Sequence, residues 1–435
     1  MSDPERIPYL LIGGSSAALS AVRGIRSVDP DGPIALVSRE RDVFYSRPLL
    51  PYWLTGRVTA DRMAQVAPGF CEANHVAPRL GAEVTRLDPA ARTASLSEGS
   101  TIRFEKALIA SGGRPIVPTG LETAGVEGVS TFATWDDARR VQALIERGGV
   151  EHAVVVGGGF TGVKTAQALA ALGIGCTVVE MADRLLNAAL DATVGALAQA
   201  QLERAGIRVR CGAAAAALQS HAGRLAGVTL RSGETLPCQL LLLAIGVVPD
   251  TRLVSGSGIA AERGILVDER LETSAPGIFA AGDVAQANDR LTGKSRPLPI
   301  LSNARRQGFI AGVNMAGGAA RFEGGVTMNA IEIGGLACMS IGLASEPGVA
   351  SETLAVHDPR RGTYRKLVLQ GDRLVGAILV GSIGPAGILA HLIREGISVA
   401  ACKHRLLDDE VPLDHLPSAY WQRGVPAAEN KEFMP

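Results

Sequence analysis

The apolar, mostly β-branched run Ala153 to Val156 has the length of a strand, and the hydrophobic period changes directly after it. Gly157, Gly159 and Gly162 fall on the spacing G-x-G-x-x-G, and from Val163 to Leu172 alanine and leucine recur at helical spacing. A second apolar run, Cys176 to Val179, closes on Glu180. This pattern predicts a βαβ unit over His152 to Glu180 with an acid at the end of its second strand. The N-terminus repeats it in weaker form. Tyr9 to Ile12 is an apolar strand, Gly13 to Ala18 is a small-residue turn, and a helical pattern continues through Val22. The strand Pro33 to Ser38 is then followed by Glu40. Here Ser15 and Ala18 stand where the other unit has its second and third glycines.

Further elements follow from the same patterning. A Pro-rich loop is expected over Val43 to Leu54, a helix over 61–75, and short strands over Ala82–Leu87, Thr93–Leu96 and Ala107–Ala110. Residues 191–205 read as an amphipathic helix, 213–236 as a Gly-punctuated antiparallel stretch, and Gln239–Ile245 and Ile278–Ala281 as buried strands. Leu301 to Gly317 is helical. From Val326 the pattern turns to alternation (Thr327–Ile333, Tyr364–Gln370, Leu374–Val380), followed by a helix over Pro385–Glu395. The uncharged run Leu374 to Ile393 nearly reaches membrane-spanning length. Its internal glycines and Pro385 divide it into a strand, a turn and a helix start, which argues against a span. The expected organisation is α/β: two Rossmann-like dinucleotide-binding domains, one over 1–118 and 249–325 and one over 119–248, then an α+β domain (326–412) and a tail (413–435). The part from 326 onward spans about 110 residues, a usual domain size.

The glycine spacing has a chemical reading. The first glycine permits the strand-to-helix turn, the second lets a pyrophosphate approach the backbone, and the third lets helix and strand pack closely. The helix N-terminus offers unpaired N–H groups to the phosphates. Glu180 is placed to accept from ribose hydroxyls and to repel a 2′-phosphate, which favours NADH over NADPH. Arg47, beside Pro48, is either a fixed cation meeting a pyrophosphate or flavin, or a solvated loop residue. Asp283, at the end of a strand, is a sugar acceptor, a helix cap, or both.

Composition narrows the class. Basic and acidic residues balance at 43 each, which gives no support for nucleic acid or an anionic membrane as partner. The six scattered cysteines form no C-x-x-C pair, and they fit free thiols in a reducing cytoplasm. The N-terminus has no signal-peptide pattern.

The stretches ASGGRPIVP, AIGVVPD and GIFAAGDVA, together with the two fingerprints, resemble the pyridine nucleotide–disulfide oxidoreductase superfamily from residue 7 to about 325. The resemblance implies FAD contacts at Gly13, Ser15, Ser16, Ala17, Glu40, Arg47, Val84, Ser111, Gly112, Arg114, Gly282, Asp283 and Gln307. It implies an NAD(H) site framed by Gly157, Gly159, Phe160, Gly162, Glu180 and Gly246. The C-terminal stretches MNAIEIGGLACMSIGL and RKLVLQGDRLVGAILVG look like the flavoprotein modules of NADH-linked nitrite reductases and rubredoxin reductase-like proteins. They are also similar to those of NADH-linked subunits of phenylglyoxylate dehydrogenase and tungsten aldehyde oxidoreductase. Relatives that reduce disulfides place a redox cysteine after the first βαβ unit. Phe44 to Trp53 contains none, and Cys71 lies further along without a partner. Tyr52 stands where rubredoxin reductase-like relatives have a lysine, and Lys164 where many relatives have a glutamate. Both are possible flavin neighbours, and Lys164 reads equally as surface helix; no catalytic residue is certain.

The leading expectation is therefore an FAD-dependent NADH:acceptor oxidoreductase subunit that transfers hydride without a redox disulfide. Its partners would be iron–sulfur or tungsten/molybdenum-containing redox proteins. The alternatives are a free-standing ferredoxin or rubredoxin reductase or NADH oxidase, and a non-catalytic FAD/NAD-binding scaffold or redox sensor. The C-terminal domain is a candidate for self-association. Its basic hairpin (Arg360, Arg361, Arg365, Lys366) reads as a steering patch for an acidic partner or as a solvated turn. The proline–aromatic tail (Pro412, Pro417, Tyr420, Trp421, Pro426, Phe433) reads as a docking segment or as packing on the chain's own surface.

Overall fold

Both expected βαβ units form. The structure, a computed structural model, describes residues 5–121, 123, 125–346, 348, 350–409, 411, 414 and 416–422. The first unit is Glu5–Ile12, helix Ser16–Arg26 and Ile34–Ser38. The second is His152–Val156, helix Phe160–Ala171 and Gly175–Glu180. By contacts the chain divides into two units: Met1–Leu185 with Leu202–Gly325, and Leu186–Gln201 with the chain from Val326. The stretch Leu186–Gln201, expected within the NAD domain, thus groups with the C-terminal part.

The larger unit holds two Rossmann-like sheets. In the first, Val76–Leu80, Ile34–Ser38, Glu5–Ile12 and Thr101–Ile109 run parallel in that order, and Ile278–Ala280 pairs parallel on Thr101–Ile109. The antiparallel strands Thr93–Leu96 and Val84–Asp88 extend the edge. Ile34–Ser38 and Ile278–Ala280 are buried throughout and almost wholly apolar, as strands covered on both faces are, whereas Thr101–Ile109 alternates exposed and buried residues until its apolar end. Tyr9, Leu11, Leu36 and Leu108 pack on one side with the helices, and Leu10, Ile12, Val37 and Ile109 on the other. The second sheet is fully parallel, in the order Arg208–Cys211, Gly175–Glu180, His152–Val156, Leu240–Leu243, Val129–Thr131.

Helix Leu301–Met315 lies against Ser16–Arg26. The crossing is tight enough that a Cβ on Gly308 would fall 2.0 Å from the Ala17 carbonyl oxygen. Glycine at 308 therefore sets how closely this helix approaches the first turn of the fingerprint helix.

Two local expectations are corrected. The Pro-rich stretch is not all loop: Arg47–Leu49 is a 3₁₀ turn and Leu50–Leu54 a short helix, each with proline in its first turn. Proline there sets φ and gives up an N–H that has no helical partner. The helix expected over 61–75 is two short ones, Ala60–Met63 and Phe70–Ala73. Pro68 and Gly69, the latter at φ 80°, separate them.

The second unit carries a five-stranded antiparallel sheet, Met328–Ile333, Leu336–Gly342, Arg373–Val380, Thr363–Gln370 and Glu352–Asp358, with helix Ala386–Glu395 on it. The run Leu374 to Ile393 resolves into that strand and helix, and no described helix is long and apolar enough to cross a membrane. The basic hairpin is not a free patch. Arg361 pairs with Asp409 at 2.8 Å, Lys366 with Asp191 at 3.4 Å, and Arg365 is buried. Of the tail, Tyr420 packs edge-on against His391 with ring centroids 4.8 Å apart, and Trp421 is largely exposed. Pro412, Leu413, Pro426 and Phe433 lie outside the described residues.

Candidate functional site

The first site grows from one turn. Gly13 adopts φ 117° and donates its N–H to the Val37 carbonyl at 2.8 Å. A Cβ there would fall 2.2 Å from the Ala110 oxygen, so only glycine fits. Ser15 then caps the helix from an extended conformation, without a side-chain bond to the first turn. The amides of Ser16 and Ala17 are left facing a cavity of about 500 Å³. The cavity runs along the carboxyl ends of the parallel strands, where open α/β sheets bind their ligands.

Eleven of the thirteen residues expected at FAD line this cavity: Gly13, Ser15, Ser16, Ala17, Glu40, Arg47, Val84, Ser111, Gly112, Gly282 and Asp283. Gln307 supports it from behind. It is buried, and its Oε1 accepts the Gly282 N–H at 2.8 Å. Arg114 does not reach the cavity. It lies in the ribbon formed by Gly113–Pro115 and Val247–Pro249, whose alternation turns Gly113 and Pro115 inward and leaves Arg114 exposed.

Arg47 is held by the chain, although 37% of its side chain is exposed. Its guanidinium donates to Glu40 Oε1 at 2.5 Å and to the Ala133 carbonyl at 2.6 Å, and it stands 5.3 Å from the Tyr45 ring centroid. Tyr45 donates its hydroxyl to Glu40 Oε2 at 2.5 Å and accepts the Trp135 N–H at 3.1 Å. Burial pushes the Tyr45 hydroxyl well above the usual phenol range. Both carboxylate oxygens of Glu40 are therefore engaged by the chain itself, although the residue borders the cavity.

Asp283 also lines the cavity. Burial pushes its carboxyl up, and the Arg47 charge opposes that only in part. Ser38, Arg39, Asp250 and Arg252 line it as well, although sequence reasoning did not assign them to the site. Asp250 is buried and accepts from Arg252 at 2.7 Å through both oxygens and from Arg39 at 3.1 Å. Hydrogen bonding to Arg252, then to Arg39, holds its carboxyl below the usual range. The Asp250 N–H and carbonyl also bond Gly112 and Ser111. The signal was available: Asp250 is the last residue of AIGVVPD, the stretch that carried the resemblance.

The second site repeats the turn. Gly157 has φ 112° and donates to the Val179 carbonyl at 2.8 Å. Gly159 is the helix N-cap, and Phe160 opens the helix. A Cβ on Gly162 would fall 1.8 Å from the Gly157 oxygen. Glu180 accepts the Gly158 N–H at 2.6 Å and the Ala182 N–H at 2.7 Å, so its carboxylate is held at the glycine turn. Gly246, at φ 108°, accepts the Ile116 N–H at 3.0 Å. The Lys164 ammonium stands 5.0 Å from the Tyr52 ring centroid. Neither residue lines the first cavity.

None of the six cysteines lines the cavity, and all are free. Burial pushes the thiols of Cys176, Cys238 and Cys338 up to about 12, which keeps them protonated and poorly nucleophilic. The donor set fits a dinucleotide: helix amides and Arg47 for phosphates, small residues for close approach, and Asp283 for a hydroxyl.

Comparison with known proteins agrees. Residues 8–308 match the family described as pyridine nucleotide-disulphide oxidoreductase, and residues 328–397 match the rubredoxin NAD+ reductase C-terminal domain. The NADH-dependent phenylglyoxylate dehydrogenase subunit epsilon of Aromatoleum evansii is 33% identical, over 93% of this chain and 95% of that one. The ferredoxin–NAD(+) reductase component of the anthranilate 1,2-dioxygenase system of Burkholderia cepacia is 29% identical, over 89% of this chain and 94% of that one. Among solved structures, a NAD-dependent persulfide reductase from A. fulgidus aligns with TM-score 0.84 and 27% identity, covering 90% of this chain and 78% of that one.

Proposed function

Starting from a chain that belongs to the pyridine nucleotide-disulphide oxidoreductase family and is an FAD- and NAD(H)-binding oxidoreductase, we propose that it is the NADH-coupling subunit of a larger redox assembly. Its acceptor, in this reading, is an iron–sulfur protein, with a tungsten or molybdenum site further down the chain of carriers. The observation that carries the reading is the cavity wall, which offers a dinucleotide cradle and no cysteine. Chemistry there needs no protein nucleophile and no thiol relay. The near full-length likeness to a subunit of an NADH-dependent dehydrogenase supports the assembly, and free thiols suit a cytoplasmic setting.

FAD, when bound, supplies acceptance of hydride from NADH and onward release of electrons. The chain's own residues bind and orient. The first-turn amides at Ser16 and Ala17 would meet the pyrophosphate, and Arg47, fixed by Glu40 and Ala133, would add charge beside it. Asp283, whose carboxyl burial pushes up, would share hydrogen bonds with a ribityl hydroxyl. Gly157 and Gly159 would hold the NADH phosphates, and Glu180 would accept from its ribose and repel a 2′-phosphate. Lys164 and Tyr52 stand as a stacked pair between the NADH helix and the Pro-rich segment, where they fix the approach of one to the other. The same arrangement serves either direction of electron flow.

The test is purification from the source cell by following flavin absorbance, with co-eluting chains and metals identified, then anaerobic mixing with NADH. Rapid flavin bleaching together with a co-eluting iron–sulfur chain is the expected result. A lone yellow protein that passes electrons to a small ferredoxin would replace the assembly with a free-standing reductase, the reading favoured by the likeness to the dioxygenase component. A flavin that NADH does not bleach would leave a scaffold and end both readings.

A further inference from the structure

The two βαβ units share the geometry of the strand-to-helix turn. Gly13 and Gly157 share the same left-handed turn, and each donates its N–H at 2.8 Å to a carbonyl in the second strand of its unit, Val37 and Val179. A Cβ on either would strike the neighbouring strand's carbonyl, at Ala110 or Ala244. Ser15 and Gly159 are the matching N-caps. Counted from the shared bond, Val37 corresponds to Val179, so Ser38 corresponds to Glu180. Each is the last residue of its strand. The contacts agree: a Cβ at Gly14 would lie 3.2 Å from Ser38 Oγ, and one at Gly158 would lie 3.0 Å from Glu180 Cβ.

Glu40, two residues further on, is off this register, and its carboxylate is bonded to Tyr45 and Arg47, whereas that of Glu180 is bonded at its own glycine turn. We infer that Ser38, not Glu40, is the residue that meets the adenosine ribose of FAD, and that this ribose is held without the carboxylate which the NADH unit retains. The inference rests on the reading that FAD occupies the first cavity. A carboxylate accepts two charge-assisted bonds from a vicinal diol, whereas a serine offers one neutral hydroxyl. Ser38 Oγ already accepts the Glu40 N–H at 3.2 Å, which leaves its O–H as the group for the ribose. Glu40 is a positioning residue: through Arg47 it ties the cavity wall to Ala133.

The test compares FAD with FMN, which lacks the adenosine half, by titrating flavin-free protein and following flavin fluorescence. The ratio of the two dissociation constants isolates the adenosine half within each variant, so a general loss of folding cancels. Ser38→Glu and Ser38→Asp are tried together, to allow for reach. At least one is expected to raise the preference for FAD about tenfold, the scale of a hydrogen bond to a charged group. Glu40→Gln is expected to leave the preference within about threefold, even where it weakens both flavins. A preference that collapses in Glu40→Gln, or that neither acid at 38 raises, overturns the inference while the flavin site stands. Wild-type protein that binds neither flavin overturns the reading of the cavity itself.

Discussion

The two dinucleotide turns share a skeleton and differ in where they spend their close contacts. In the second, the helix closes on its own turn: a Cβ on Gly162 would fall 1.8 Å from the Gly157 oxygen. In the first, the matching position is Ala18, fully buried with its methyl in place. The tight approach there lies on the far side, where Gly308 and Gly312 of Leu301–Met315 meet the carbonyls of Ala17 and Ala21. Smallness is thus conserved in function but not in position. A fingerprint with Ser and Ala in place of Gly is a turn whose packing partner has changed, not a degraded turn.

The largest effect that sharpens this comparison falls on Gly162. Gly162→Ala drives a methyl into a backbone oxygen that has no rotamer to give. It should lower kcat/KM for NADH about 100-fold, by distorting the NADH turn, while bound flavin is kept. Stopped-flow reduction with flavin content measured alongside would check this. The mirror change, Ala18→Gly, should cost only about 1 kcal/mol of stability, the usual penalty of glycine within a helix. If Gly162→Ala reduces normally, the two turns do not differ as described.

Next in size is the acid at the end of the second strand. Glu180→Gln keeps one acceptor oxygen for the Gly158 or the Ala182 N–H, loses the other, and removes the charge assigned above to the NADH ribose. The KM for NADH should rise about tenfold, and the preference for NADH over NADPH should narrow by a similar factor. A preference that stays as wide as in the parent would mean that discrimination lies elsewhere on the loop.

A subtler contrast lies within the first cavity, where two aspartates are shifted in opposite senses. Arg252 and Arg39 depress the Asp250 carboxyl. Its contribution to stability is therefore present above the unfolded carboxylate value and lost as pH falls through the folded one. Burial raises Asp283. In flavin-free protein it costs nothing below the unfolded value, and stability is lost as pH rises toward its folded value. Denaturant midpoints measured from about pH 3 to neutrality should thus diverge. Asp250→Asn should be weaker than the parent near neutrality, with the gap shrinking in acid. Asp283→Asn should be stronger than the parent near neutrality and equal to it in acid. Curves that shift together would show that one of the two environments is wrongly understood.

Much of this was legible in the chain. The glycine turns and the two βαβ units are read from local pattern, because strand-turn-helix geometry is set by neighbours in sequence, while Ser111, Gly112, Gly282 and Asp283 come from the resemblance and all four line the cavity. What was missed depends on distant partners. The Ser38 register follows from a hydrogen bond to Gly13, not from the distance to the nearest acid. The identity of Arg47 as a fixed group depends on Ala133. The grouping of Leu186–Gln201 with the C-terminal part depends on contacts that no local period encodes.

Arg114 gives the smallest effect and the cleanest check on that account. It lies inside ASGGRPIVP, between two residues that do face the cavity, and its charge suits a pyrophosphate. The resemblance therefore placed it at FAD. The ribbon with Val247–Pro249 decides otherwise: Arg114 pairs with Val248, and strand alternation sends its side chain to solvent. Arg114→Ala should then change stability by no more than about 0.5 kcal/mol, as for other exposed sites away from caps and cores. FAD affinity, measured by the same fluorescence titration, should stay within about twofold of the parent, since an exposed side chain that does not line the cavity adds little to binding. A tenfold loss of FAD affinity would mean that the ribbon turns inward when the cavity fills. The motif would then have been a better guide than the ladder that overrides it.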